Sequence, residues 1–181
     1  MPNRTRVSSL IPPVGARDHV RGSDDAAITL VEFGDYECPH SGRAYPTVKA
    51  IQDQLGDRLR FVFRNFPLNQ LHPHAELAAE TAEAAAAQGK FWEMHGAIFT
   101  HQRALELDDL LGYASGLGLD VKRIVHDLER RAHRTRVEED LMSGARSGVH
   151  GTPTFFINGV RFDGDWNDGG LLAALTSAPV R

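Results

Sequence analysis

Apolar and polar residues alternate along this chain in patterns that change with position. Residues Ile28–Gly34 (ITLVEFG) form a short, apolar, β-branched run, which predicts a buried strand. In residues 58–66 (RLRFVFRNF) apolar and basic residues alternate, as in a second strand. Between these runs Ala44, Val48, Ile51 and Leu55 recur at helical spacing. That helix is expected to open at Cys38, with Pro39 at its first position, and to end at Gly56. Pro46 lies inside it and is expected to kink it. From residue 67 to residue 147 the spacing is helical throughout. An alanine-rich helix lies between Pro73 and Gly89, the next places Phe91, Met94, Ala97 and Ile98 on one side, and three more follow. Strand pattern returns in residues 152–159 and 160–164, which meet at Asn158-Gly159, the strongest short hairpin signal. A last helix is expected over residues 168–177. Residues 1–27 are rich in Pro, Gly, Arg and Asp and read as an arm, with a short strand near residues 7–10.

The order β, α, β, helical block, β-hairpin, α predicts an α/β fold. A chain of 181 residues fits a single domain, 1–181, with a core over 28–66 and 148–178, a helical insertion over 67–147 and the arm over 1–27. The net charge of −4 gives no pull toward nucleic acid or an anionic membrane. No run approaches 18 apolar residues, so membrane insertion is not expected. The N-terminal segment lacks the apolar stretch of an export signal, and there is one cysteine, so a reducing, cytoplasmic location is expected. His72 and His74 flank Pro73 but make only one weak metal-ligand pair, so no metal is expected. Trp92 and Trp166 read as core or groove aromatics. Oligomeric state is not legible.

Cys38 is the candidate for chemistry. A sulfur at a helix N-terminus faces backbone N–H groups, here those of His40 and Ser41, and the positive end of the macrodipole. His40 would add charge nearby and the Ser41 hydroxyl would donate to the sulfur. Each effect favours the thiolate, the form that attacks, over the thiol. Against this stands the ordinary role of a lone cysteine as a small buried hydrophobe. Its neighbours Glu37, Pro39 and His40 are polar or turn-forming, which tips the reading toward reactivity. Glu32 interrupts the apolar run of the first strand. If buried it needs a partner and its pKa rises; at a strand end it would meet water.

Together VEFGDYECPH, FRNFPL with HPHA, QGKFWEMH and GVHGTPTFFINGVRFDG resemble the thioredoxin superfamily. They are most similar to DsbA-like proteins, including the thioredoxin-like domains attached to some sodium/proton antiporters. The resemblance implies a thioredoxin-like fold with a helical insertion between the second strand and the cis-proline hairpin. It implies that Cys38 is the attacking cysteine, with Pro39 beside it. Pro153, after Gly151 and Thr152, would be the cis-proline that faces the sulfur and pairs with substrate backbone. Glu32 would be the buried acid that moves a proton, and Pro46 the helix-kink proline. His150 would lie near Cys38, as a tuner of the thiolate or, more simply, as a loop cap.

The departure is Ser41, where the family carries a second cysteine. Serine cannot release a mixed disulfide. The implied function is a thiol–disulfide oxidoreductase in which Cys38 forms mixed disulfides with disulfide-containing or glutathionylated proteins and an external thiol frees it. Glutathione is the co-substrate this suggests; no resident cofactor is implied. Two alternatives remain: a peptide-binding module without redox turnover, and a dithiol enzyme in which Ser41 replaces the resolving cysteine. A glutathione-transferase-like enzyme is disfavoured because such relatives carry their serine at the first position, where this chain keeps Cys38.

Overall fold

The expected helices, and the strands expected after residue 27, form in the computed structural model, which describes residues 8–179; residues 8–10 form no strand. In chain order they are β1 (His19–Arg21), β2 (Ile28–Gly34), α1 (Pro39–Leu55), β3 (Leu59–Asn65), α2 (Ala75–Ala86), α3 (Phe91–Thr100), α4 (Leu107–Gly116), α5 (Val121–Glu129), α6 (Arg134–Arg146), β4 (Thr154–Ile157), β5 (Val160–Phe162) and α7 (Gly170–Ser177). The sheet order is β1-β3-β2-β4-β5. The chain has a mixed α/β thioredoxin-like fold with a helical insertion between β3 and β4.

Strand β2 is central: it pairs parallel with β3 and antiparallel with β4, and all seven of its residues are buried. The parallel pairing requires a crossover, which α1 supplies. The β4–β5 turn uses Asn158 and Gly159 at φ 49° and 82°, the left-handed pair of a two-residue hairpin turn. The main core forms where α1, the insertion and α7 cover one sheet face, around Leu30, Phe61, Phe63, Met94, Ile98 and Leu171. A smaller core around Val31, Phe33, Val62 and Phe156 lies under the arm and α6.

Helix α1 continues through Pro46 and stops at Gly56, whose φ of 50° ends it. The alanines of α2 are buried because only small side chains let it lie close against four helices, α3, α4, α5 and α6. On α3 the buried side is Phe91, Met94, His95, Ile98 and Phe99; Ala97 is only part-buried. Partly buried Trp92 and Trp166 pack against the main core. The arm holds a strand the sequence pattern does not reveal: β1 pairs antiparallel with β3. Of the strand expected near residues 7–10, Val7 lies outside the described residues. Ser9 bridges to Val160, and Leu10 N–H donates to Gly159 O at 2.9 Å.

Candidate active site

Cys38 sits where β2 hands over to α1, as the N-cap residue in extended conformation (φ −66°, ψ 121°). Its side chain is buried, 4% exposed. The expected approach of helix N–H groups to the sulfur does not occur, since Cys38 makes no side-chain cap hydrogen bond. Instead the thiol donates to Thr152 O at 3.4 Å. As a donor it turns its hydrogen toward a carbonyl rather than accepting from the helix. The Thr152–Pro153 peptide bond is cis, and the Thr152 carbonyl meets the sulfur across 114 residues of sequence. Thr152 Oγ1 is buried with no hydrogen-bond partner among the described residues.

The neighbours expected to assist the sulfur are engaged elsewhere. Ser41 is fully buried, and its Oγ accepts from Asp35 N–H at 3.3 Å; no hydrogen bond joins it to Cys38. Its position one turn into the helix, on the inner face, directs it at the loop before the sulfur. His40 is exposed, and its Nδ1 lies 2.7 Å from the Arg43 guanidinium, which can only donate, so the ring is turned to Arg43 rather than to the sulfur. Pro39 is exposed at the first helical position, where its missing N–H leaves no gap. His150 is exposed, and among the described residues no hydrogen bond or ion pair joins it to Cys38.

Glu32 is buried on the central strand, between Phe63 of β3 and Phe155 of β4. It is 2% exposed, and Oε1 has no hydrogen-bond partner among the described residues. Burial pushes its pKa up to about 8. It is therefore a buried acid that can hold a proton near neutrality.

Asp35, which sequence reasoning overlooked, organises the loop. Fully buried, it accepts from Glu37 N–H at 2.8 Å and Cys38 N–H at 3.2 Å through Oδ1, and from Leu68 N–H at 2.9 Å through Oδ2. An aspartate two and three residues before these N–H groups is a recognisable turn-former, so a signal existed. Gln102, after α3, was also missed. Its Nε2 donates to Tyr36 O at 2.8 Å and Cys38 O at 2.9 Å, and nothing in the local pattern announces it. His72 and His74 pair with carboxylates rather than gathering around a cation, and no metal-binding group of His, Cys, Asp and Glu occurs among the described residues.

The profile of the thioredoxin family, described as "Thioredoxin", matches residues 16–176. The chain belongs to the thioredoxin family. Among curated relatives it is 46% identical over 172 residues to the Na(+)/H(+) antiporter NhaA 1 of Salinispora arenicola and 45% identical over 170 residues to the NhaA of Herminiimonas arsenicoxydans. These alignments cover 95% and 93% of this chain but 26% and 27% of those proteins, so the chain spans about a quarter of their length. Among solved structures it is similar to a thioredoxin-like oxidoreductase from Silicibacter pomeroyi, at 28% identity, TM-score 0.74, covering 83% of this chain and 85% of that one. It matches oxidised BdbD from Bacillus subtilis at 24% identity and TM-score 0.83, covering 94% of this chain and 96% of that one. It shares its architecture with the thiol-disulfide exchange protein alpha-DsbA2 from Wolbachia pipientis, at 20% identity and TM-score 0.75, covering 89% of this chain and 87% of that one. No helix among the described residues is long and apolar enough to cross a membrane.

Proposed function

We propose that this thioredoxin-family chain is a monothiol thiol–disulfide oxidoreductase. The observation that carries the reading is the contact of the Cys38 sulfur with the carbonyl before a cis-proline, at 3.4 Å, with Ser41 rather than a thiol one turn into the helix. The sulfur of Cys38, as thiolate, attacks the mixed disulfide of a glutathionylated protein. A Cys38–glutathione disulfide forms and the protein leaves as thiolate. A second glutathione thiolate then attacks that disulfide, freeing Cys38 and producing glutathione disulfide. Both steps conserve electrons, and neither needs a second protein cysteine. The backbone beside Pro153 is where substrate chain would pair, and Glu32 is the group that would take or give the proton. The pairing of a lone cysteine with an external thiol suits a reducing compartment.

The test uses a glutathionylated peptide with free glutathione, followed by intact mass and glutathione disulfide production. The expected result is a glutathione adduct on Cys38, turnover that Cys38→Ala abolishes, and reduction of dithiol-type protein disulfides only in Ser41→Cys. Equal turnover in Cys38→Ala, or no adduct on the unaltered chain, overturns the proposal. Peptide retention that survives Cys38→Ala without turnover would instead mark a binding module.

A further inference from the structure

The His72-Pro73-His74 segment takes no part in the reaction above, yet it is bonded to both acidic residues that lead into Cys38. His72 Nδ1 lies 2.7 Å from Asp35 Oδ2, and the other oxygen of Asp35 holds the Cys38 N–H. His74 donates its backbone N–H to Glu37 Oε2 at 2.6 Å, and its Nδ1 lies 2.8 Å from Glu37 Oε1. Its second ring nitrogen, Nε2, lies 3.3 Å from Glu106 Oε1, at the N-cap of α4. Ionised carboxylates only accept, and a neutral imidazole has a single N–H. The imidazolium alone satisfies both contacts at once. Glu37 and Glu106 are the charged groups that face this ring; Glu76, in the first turn of α2, is turned to Arg131 and Asn69. The hydrogen bond to Glu37 leads the effects that raise the His74 pKa, ahead of the opposing effect of burial.

We propose that His74 is a positioning residue for Cys38: as imidazolium it clasps the Cys38 loop, through Glu37, to the helical insertion, through Glu106, and the clasp slackens when the ring loses its proton. The inference rests on Cys38 being the reacting thiol. Closed, the clasp pairs the charge of Glu37 and holds the loop in one geometry, which matters because sulfur attack needs a defined approach. On deprotonation the contact with Glu106 goes first, because it is the longer and Glu106 is the more exposed partner.

The test follows Cys38 with 2,2′-dithiodipyridine, which transfers one pyridylthio group to the sulfur and releases one pyridinethiolate. Rates are measured from about pH 5.5 to 9, the span in which histidine changes charge. His74→Asn keeps a neutral donor near the place of Nδ1. The unaltered chain is expected to react faster than this variant by about two- to fivefold at the acid end, the range a part-exposed ion pair supplies. The ratio should fall toward one as the wild-type ring becomes neutral. Glu106→Gln, a change at an exposed side chain, should move that fall to lower pH and leave high-pH rates alone, which tests the clasp even if His74→Asn does not fold. A ratio that does not vary with pH in the folded variant, or a fall unmoved by Glu106→Gln, overturns the clasp. The probe does not depend on the deglutathionylation assay. A pH-dependent ratio without deglutathionylation sinks the oxidoreductase reading alone, and the reverse pair of results sinks the clasp alone.

Discussion

Glu32 is a residue whose environment carries a direct consequence for pH. A carboxyl at 2% exposure with Oε1 unpartnered keeps its proton in the folded chain up to about pH 8 and releases it near the ordinary carboxylate value when unfolded. Between those two values the folded state binds one more proton than the unfolded state. Stability from this group is therefore whole below the unfolded pKa and is lost as pH rises through the folded one. Glu32→Gln removes the titration while keeping the shape. Urea unfolding should show the variant gaining on the parent as pH rises from 5 to above 8, by on the order of a few kcal/mol at the alkaline end. A difference that stays constant with pH would mean the carboxyl is not buried as described. In the sequence Glu32 fits either a buried site or a strand end open to water. The pairing of β2 on both sides decides between them, because a residue facing the core of a central strand has no route to water. His95 is the opposite case: burial lowers its pKa to about 3, so it stays neutral, and its Nδ1 is hydrogen-bonded to the Tyr36 hydroxyl at 3.1 Å.

At the scale of elements, α6 shows how closely the insertion is seated. A Cβ added at Gly144 would fall 2.5 Å from Phe66 Cδ2 and 3.1 Å from Phe33 Cδ1, both rings being packed. Gly144→Ala should destabilise the chain by about 1–3 kcal/mol, the usual range for overpacking a full core, despite the better helix propensity of alanine. Thermal unfolding measures this, and an unchanged or raised midpoint would show that α6 can move off the sheet. The helices and their order were legible because each carries its own apolar spacing. The strand His19–Arg21 was not: its three residues have no alternation long enough to read, and it exists because β3 offers an open edge.

Across the whole molecule, Arg64 joins three parts of the fold that are remote in sequence. Buried on β3, it donates to both carboxylate oxygens of Asp18 at 2.7 and 3.0 Å, to the carbonyls of Pro12 and Pro13, and to Ser143 Oγ on α6 at 2.7 Å. Burial alone would raise the Asp18 pKa, but the Arg64 hydrogen bonds and charge hold it below the ordinary value. Arg64→Ala leaves Asp18, among the described residues, with only the Gly15 N–H as a donor and deprives two carbonyls of theirs. The cost should be about 3–5 kcal/mol, as for other broken buried pairs. Limited proteolysis should then cut the arm first, whereas an arm as protected as in the parent chain would show that Arg64 does not hold it. This joint was not legible, because an arginine in an alternating strand reads as a solvent-facing charge until the arm is folded over it.

The residue order by itself determined which groups stand together locally, and the local elements: one thiol at a strand-to-helix junction, a serine one turn after it, the hairpin at Asn158-Gly159 and the spacing of each helix. These are written in neighbours a few residues apart, where backbone preference and periodicity act. The tertiary structure decided what depends on distant partners. It brought the Thr152 carbonyl to the sulfur, turned the Ser41 hydroxyl to Asp35 instead of Cys38, sealed Glu32 from water, and set His72 and His74 against the carboxylates of the Cys38 loop. Hydrogen bonds and desolvation are set by what lies within a few ångströms, and across tens of residues only the fold determines that.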